Sequence, residues 1–232
     1  MSSVVFPSRP QRRTVLRGLL AGAAAATVGG SSSSTPAEPA ASTTTEPGTR
    51  SATSGPEPRR ILLAYFSRPG ENYYYGKRRD LKVGNTEVLA GMIADRITCD
   101  VHRIEAADTY PDSYAETVAR NVREQEDDAR PDVANPLRAI ARYDTVLLGS
   151  PIWNVRAPMI MTTFTESLDF RDKTVVPITT YAMSGLGTTE RDYRASCPGA
   201  TIADGLAVQG EKVRESGDQI DAWVRRLGLP VR

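Results

Sequence analysis

The sequence is poor in the residues that build metal centres and catalytic nucleophiles. Its 232 residues include two cysteines, Cys99 and Cys197, and a single histidine, His102. Zinc sites and iron–sulfur clusters take about four such ligands, so we expect neither. No Gly-x-Ser-x-Gly motif marks a serine nucleophile, and His102 lies in a predicted strand away from the other candidate residues, which favours a structural role. The sequence therefore predicts no metal site and no catalytic side chain.

Charge of one sign and long apolar runs are lacking as well. The chain has a formal net charge of +1 at pH 7, and the part from Arg59 onward is close to neutral. Nucleic-acid binding needs a clustered excess of Lys and Arg, so nucleic acid is not expected as the main partner. With 40% hydrophobic residues, the composition is ordinary for one soluble domain with a sizeable core.

The N-terminal part resembles a targeting segment followed by a tether. Arg12 and Arg13 precede a small-residue apolar run at residues 18–30, which is too short and too rich in Ala and Gly to span a membrane. We interpret residues 1–30 as a twin-arginine signal peptide, which predicts export across the cytoplasmic membrane to the envelope or medium; a disordered basic tail is the alternative. Residues 31–58 have no large apolar residue and are predicted to be a disordered linker, so the domain covers residues 59–232.

The domain alternates strand patterns with helix patterns. Pro177 falls inside one predicted strand, where we expect a local bulge. On the second predicted helix, capped by Asp112, Tyr114, Val118 and Val122 share one face. The alternation predicts an α/β fold with a parallel sheet and helices on both faces. The predicted strands cover residues 61–66, 102–106, 143–149, 174–180 and 201–208, and the other helices cover residues 85–98, 157–170, 188–195 and a last segment that ends at Gly228.

Three loops that follow strands carry the candidate ligand groups, because ligands of open α/β sheets bind beyond the carboxyl ends of the strands. The first loop has the hydroxyls of Ser67 and Thr86 and a helix start at Asn85, and free N–H groups at such a start suit a phosphate. The second has Trp153 on a proline-stiffened turn. The third, residues 184–187, is Ser-Gly-Leu-Gly, whose backbone can approach a planar ring closely. Together they predict a site for a flat heterocycle with a phosphate tail.

The order of these motifs resembles the flavodoxin-like proteins that bind FMN, over nearly all of residues 60–228. The resemblance implies a flavodoxin-like, doubly wound sheet of five parallel strands in the order 2-1-3-4-5, with FMN as the cofactor. FMN is favoured over FAD because the Gly-x-Gly-x-x-Gly dinucleotide fingerprint is absent. The motifs are Tyr65-Phe66-Ser67-Arg68, Gly70-Glu71-Asn72-Tyr73, Val83-Gly84-Asn85-Thr86, Tyr143-Asp144-Thr145, Gly149-Ser150-Pro151-Ile152-Trp153, Ser184-Gly185-Leu186 and Cys197-Pro198-Gly199-Ala200-Thr201.

The same resemblance implies roles for individual residues. The phosphate would be bound by Ser67, Arg68, Gly84, Asn85 and Thr86. The isoalloxazine ring would lie between Pro151, Ile152, Trp153 and Asn154 on one side and Ser184, Gly185 and Leu186 on the other.

The first loop is unusually long, as in the long-loop branch of the family. Its insert has two interpretations. The tyrosines at positions 73–75 cover the flavin or a substrate while the basic residues 77–79 attract an anionic partner, or the insert is a solvated loop whose tyrosines pack on the domain.

Two classes of function follow. The first is an exported FMN-binding redox protein that transfers electrons between proteins or reduces a small acceptor such as a quinone; its donor and acceptor are not identified by the sequence. The alternative is a non-catalytic envelope binding module that has lost the flavin. The intact ends of the first loop and Trp153 favour the redox protein.

The two cysteines are predicted to be free thiols. The implied strand order puts Cys99 and Cys197 at opposite edges of the sheet, about 19 Å apart, whereas a disulfide needs Cα atoms within about 7 Å.

Overall fold

A computed structural model describes residues 60–232. The predicted signal peptide at residues 1–30 and the predicted linker at residues 31–58 lie outside the described residues. Within residues 60–232, no helix is both long enough and apolar enough to cross a membrane.

Strands and helices alternate along the chain, with one hairpin inserted after the first strand. In chain order the elements are β1 (Ile61–Phe66), β2 (Gly70–Tyr74), β3 (Lys77–Leu81), α1 (Asn85–Ala94), β4 (Asp100–Ile104), α2 (Tyr114–Glu126), β5 (Thr145–Pro151), α3 (Met159–Glu166), β6 (Thr174–Tyr181), α4 (Thr189–Ser196), β7 (Thr201–Ile202), β8 (Leu206–Gln209), a 3₁₀ helix (Gly210–Glu215) and α5 (Gly217–Leu227).

The central sheet is parallel and runs in the order β4-β1-β5-β6-β7, with β8 also paired to β6. All residues of β1 are buried, as expected for a strand that is covered on both faces. The predicted α/β fold with this strand order is confirmed. The fifth strand, predicted as one segment at residues 201–208, is two strands: β7 pairs with the start of β6 and β8 pairs with its end.

Pro177 sits in a regular part of β6, so the predicted bulge at this position is wrong. It pairs with Leu148 of β5 in an unbroken register. The interruption is in the neighbouring strand instead, because β7 pairs as far as Val175 and β8 begins opposite Ile178. A proline has no N–H to donate, and here it lies where that side of β6 has no paired strand.

Two hydrophobic layers cover the faces of the sheet. One layer, under α1 and α5, is centred on Trp223, Leu89 and Ile93, and the other, under α3 and α4, contains Phe164 and Tyr193. Helix α5 ends at Gly228, which has φ +59, because a left-handed residue there completes the C-cap. The end of this helix is therefore as predicted.

Helix α2 is oriented differently from what its pattern suggests. The residues it buries are the polar Thr117, Asn121 and Glu124, whereas Val118 and Val122 are exposed. The carboxylate of Glu124 accepts hydrogen bonds from Tyr110 Oη at 2.9 Å and from Arg120 Nε at 2.7 Å, so burial of a charged side chain is compensated by a buried hydroxyl and a cation.

Several predicted helix ends also shift. The cap of α2 is Ser113, whose Oγ accepts from the N–H of Glu116, and not Asp112 as predicted. Helix α1 ends at Ala94, four residues before the predicted end, and α3 begins only after Pro158. Proline is favoured at helix starts, because it has no N–H to leave unpaired there.

The insert after β1 folds as the antiparallel hairpin β2–β3, with Tyr73 opposite Arg78. Its turn residues Tyr75 and Gly76 have φ of +46 and +79, which is the backbone of a two-residue hairpin turn. The insert is therefore a defined two-stranded element.

The cysteines should react very differently in the folded and unfolded protein. Both are free thiols, as predicted, and burial raises the pKa of Cys197 to about 12. Because only the thiolate is nucleophilic, we expect Ellman's reagent to leave Cys197 unmodified at about pH 8 and to titrate both thiols in urea. A Cys99→Ser variant isolates the buried thiol; rapid modification of folded C99S, or an intrachain disulfide in the wild type, would contradict this arrangement.

Candidate functional site

A cleft of about 350 Å³ opens at the carboxyl ends of β1, β5 and β6. This volume is within the range of about 300–1,000 Å³ that is usual for small-molecule sites. Its walls come from the first loop, the loops after β5 and β6, one face of α2, the β2–β3 hairpin and the start of the 3₁₀ helix. Of the predicted site residues, those that line it are Ser67, Arg68, Asn85, Thr86, Pro151, Ile152, Trp153 and Asn154.

One end of the cleft is formed by the N-terminus of α1. The first N–H groups of a helix have no partner within it, and Ser67 Oγ accepts one of them, from Glu87, at 3.1 Å. Beside it, the hydroxyls of Thr86 and Thr180 are 2.7 Å apart. Asn85 and Thr86, the first two residues of α1, line the cleft. This end therefore combines a helix dipole with hydroxyl groups, which favours an anion.

Gly84 sets the position of that helix end without lining the cleft itself. It is the N-cap of α1, and a Cβ at this position would collide with Ser67 Oγ and the carbonyl oxygen of Arg68. Only glycine permits the two parts of the first loop to come so close. The predicted role of Gly84 at a phosphate stays a prediction, and the structure gives this residue a packing role directly beneath the loop.

Arg68 is buried at the same end, with 8% of its surface exposed. Its guanidinium donates to the backbone carbonyls of Pro111, Asp112 and Glu71, and its Nε is buried without a hydrogen-bond partner among the described residues. Burial lowers the pKa of Arg68, while the carboxylates of Asp112 and Glu71 raise it. A buried cation whose partners are neutral carbonyls would be stabilised by a bound anion.

Trp153 forms an aromatic wall at the other end. Its ring packs edge-to-face on Phe66 and Tyr110, with centroid distances of 5.8 and 5.1 Å. It starts a tight turn that closes with the N–H of Trp153 donating to the carbonyl of Arg156 at 2.8 Å. The side chain of Gln125 in α2 donates to the carbonyl of Trp153 at 3.2 Å. This role of Gln125 was not predicted, because it depends on how α2 packs.

The end of β6 and the loop after it contribute different residues from those predicted. Thr180 and Tyr181, the last residues of β6, line the cleft together with Ala182 of the loop. Ser184, Gly185 and Leu186 do not, because this segment curls back on its own strand: the carbonyl of Gly185 accepts from Thr179 Oγ1 at 3.0 Å, and Leu186 packs against Gly205. Their predicted contact with a ring stays a prediction.

The hairpin and α2 complete the mouth of the cleft. Tyr73 of β2 lines it together with Tyr114, Val118 and Val122 of α2. At the tip of the hairpin, the N–H of Tyr75 donates to Oε1 of Glu211 in the 3₁₀ helix at 3.1 Å. The hairpin thus contacts both α2 and the 3₁₀ helix. The α2 residues were predicted to share one face, but their helical spacing could not show that this face borders a cleft.

The residues present suit a phosphorylated flat ring. The helix N-terminus provides N–H donors and buried Arg68 provides positive charge for an anion at one end, and Trp153 provides an apolar plate at the other. Within residues 60–232, no group of three or more His, Cys, Asp or Glu side chains is placed to hold a metal ion.

Comparison with known proteins agrees with this geometry. Residues 80–227 match the sequence profile of the flavodoxin family. The chain belongs to the flavodoxin family. The matched segment begins within β3, so β1 and most of the hairpin of this flavodoxin lie before it.

Two solved structures from Bacteroides share the fold. A candidate flavoprotein from Bacteroides uniformis has 27% sequence identity and a TM-score of 0.58, and the match covers 73% of this chain and 99% of that one. A second, from Bacteroides eggerthii, has 25% identity and a TM-score of 0.57, over 73% of this chain and 98% of its own. No curated protein sequence matches significantly. The chain therefore has the fold of a flavoprotein, consistent with a flavin-binding redox protein.

Two glycine substitutions in the same part of the chain should have opposite effects. Gly84→Ala forces a Cβ against Ser67 and Arg68 and is expected to lower the free energy of unfolding by about 1–3 kcal/mol. Gly91→Ala, inside α1 with open space around its Cα, should raise it by about 0.5–1 kcal/mol. Urea unfolding measures both. Equal effects of the two variants would contradict the close approach at Gly84.

Proposed function

We propose that this flavodoxin binds FMN in the cleft and acts as a redox protein. The observation that carries the proposal is the pairing of a helix N-terminus at one end of a single cleft with the Trp153 plate at the other. A bound FMN would supply the redox chemistry by taking up and releasing electrons, and the protein would bind it, orient it and limit its contact with water.

The phosphate would lie at the start of α1. There, Ser67 and Thr86 offer hydroxyls, and the backbone of Asn85 and Thr86 offers N–H groups at the positive end of the helix dipole. The buried guanidinium of Arg68 adds positive charge. Each guanidinium hydrogen bond of Arg68 within residues 60–232 goes to a backbone carbonyl. A bound anion would stabilise this buried cation, which favours a flavin-binding protein over a binding module that has lost its anionic ligand.

The ring would lie against the loop after β5, with Trp153 fixed by its contacts to Phe66 and Tyr110. Pro151, Ile152 and Asn154 border the same wall, and Tyr181 borders the cleft from the end of β6. The Trp153 ring is held by this aromatic packing, and its backbone carbonyl is held by the hydrogen bond from Gln125. The ring is therefore pre-organised to contact a flat ligand.

The hydroxyls at the α1 end should distinguish FMN from riboflavin. In a Ser67→Ala/Thr86→Ala variant, we expect FMN binding to weaken about tenfold or more, because each charge-assisted hydrogen bond contributes about 1.5 kcal/mol or more. Riboflavin, which has no phosphate, should lose much less affinity. Fluorescence titration of the apoprotein measures both constants, with Ser113→Ala, a cap outside the cleft, as the control. Equal losses for the two flavins would place the phosphate elsewhere.

We also propose that the protein works outside the cytoplasmic membrane and arrives there with its flavin bound. Arg12 and Arg13 precede an apolar run in the manner of a twin-arginine signal, and that route carries folded proteins. FMN is made inside the cell, and a ligand that binds only the folded state stabilises it. The electron donor would be an envelope partner, and the acceptor a second protein or a diffusible quinone, with exchange at the rim around Trp153 and the hairpin.

Loss of the arginine pair should hold the loaded protein inside the cell. Replacing Arg12 and Arg13 by lysine keeps the charge, but it should abolish export and leave FMN-bound protein in the cytoplasm. Fractionation followed by measurement of flavin in each fraction tests this, and Arg9→Lys serves as a matched control in the same segment. Normal export of the double variant, or a wild type confined to the cytoplasm, would refute the proposed location.

A further inference from the structure

The clearest feature that FMN binding leaves unexplained is the apolar face of α2. Val118 and Val122 are one turn apart on this helix, are 43% and 37% exposed, and line the cleft. The residues that this helix buries are instead the polar Thr117, Asn121 and Glu124, of which Thr117 and Asn121 border the same cleft. A surface helix normally does the reverse, with apolar residues inward and polar residues outward.

Hydrogen bonds offset the cost of burying the polar residues of α2, but they do not offset the cost of exposing its two valines. Buried Glu124 is bonded to Arg120 and Tyr110, and Asn121 Oδ1 accepts from Gln125 Nε2 at 3.2 Å, so the polar side is compensated. The two valines instead hold apolar surface in contact with solvent, which burial against a ligand would remove from water. Apolar residues concentrated in a cleft commonly mark a ligand site.

The part of the cleft beside these valines, which we call the compartment, has aromatic side walls. Tyr73 of the hairpin and Tyr114 of α2 both line it, and the guanidinium of Arg78 lies 3.7 Å from the centroid of the Tyr114 ring. The hairpin is bonded both to α2 and, through Tyr75, to Glu211 of the 3₁₀ helix, and the cleft that it borders has a volume of about 350 Å³, which is the size of a small-molecule site. The occupant that suits this cleft is therefore a small molecule.

The polar groups of the compartment indicate an oxygen acceptor on that molecule. With its Oδ1 engaged by Gln125, Asn121 has its amide Nδ2 group left to donate. Asn121 lines the cleft and is 3% exposed. A ligand that satisfies this lining is a flat, uncharged ring with a carbonyl oxygen.

We propose that the α2–hairpin side of the cleft binds a quinone-type ring, with one face against Val118 and Val122 and a carbonyl oxygen accepting from Asn121. The site rests on the proposed function in one respect, since it lies beside the end of the cleft assigned to the flavin. The electron acceptor is then a small molecule, and the residues that select it are Val118, Val122 and Asn121.

The test measures binding of duroquinone to the oxidised holoprotein by isothermal titration calorimetry. Duroquinone is fully substituted on its ring, so it does not add to the free thiols of Cys99 and Cys197. In a Val118→Gln/Val122→Gln variant we expect about tenfold weaker binding, because the apolar contact area is lost, while the affinity for FMN is unchanged. Val101→Gln, at an exposed valine of β4 outside the cleft, should bind duroquinone as the wild type does, and Val122→Leu should retain binding.

Each other outcome overturns the inference in a distinct way. If duroquinone fails to bind the flavin-loaded wild type, or binds the Gln double variant equally well, the compartment is not a quinone site and the flavin proposal stands. If the double variant loses FMN instead, the valines contact the flavin itself. A purified protein that never contains flavin would refute the proposed function, independently of any duroquinone affinity.

Discussion

The close packing of Gly84 beneath Ser67 and Arg68 is the contact on which the rest of the site depends. It lets the chain leave β1, form a hairpin and return so that α1 begins beside the carboxyl end of β1. The exposed N–H groups of that helix, the Ser67 hydroxyl and the buried Arg68 charge are thereby brought to one place. A larger residue at position 84 would push the two parts of the loop apart and separate these groups from one another.

The parallel sheet brings the remaining walls to the same edge. Because β1, β5 and β6 are adjacent, the loops that follow them meet at one end of the molecule, which is the general reason that open α/β sheets bind ligands there. The hairpin then encloses the cleft from α2 to the 3₁₀ helix. A cofactor held in such a site would be shielded on several sides, and the proposed quinone site would use the apolar surface that Val118 and Val122 present to the cleft.

Much of this arrangement was predictable from local patterns. Continuous apolar runs identified the strands, and the ends of the first loop and Trp153 fall at the cleft because position after a parallel strand determines where a side chain lies. What depended on tertiary packing was not predictable. The polar inner face of α2 is compensated by Tyr110, which precedes the helix, and by Arg120 and Gln125 of the helix itself, and its hydrophobic period alone does not predict that this face is buried. Pro177 needs no bulge because the neighbouring strand is interrupted beside it, between β7 and β8. The loop at Gly185 turns back on β6 because the carbonyl of Gly185 accepts a hydrogen bond from Thr179.

The central claim is that the cleft holds FMN, and the chromophore of the purified protein tests it most directly. Denaturation in the dark should release a yellow compound with the visible spectrum of a flavin, and mass spectrometry should identify it as FMN, in a ratio near one per chain. Release of FAD or a deazaflavin, or a colourless protein that does not bind added FMN, would contradict the account of a single-phosphate site at the start of α1.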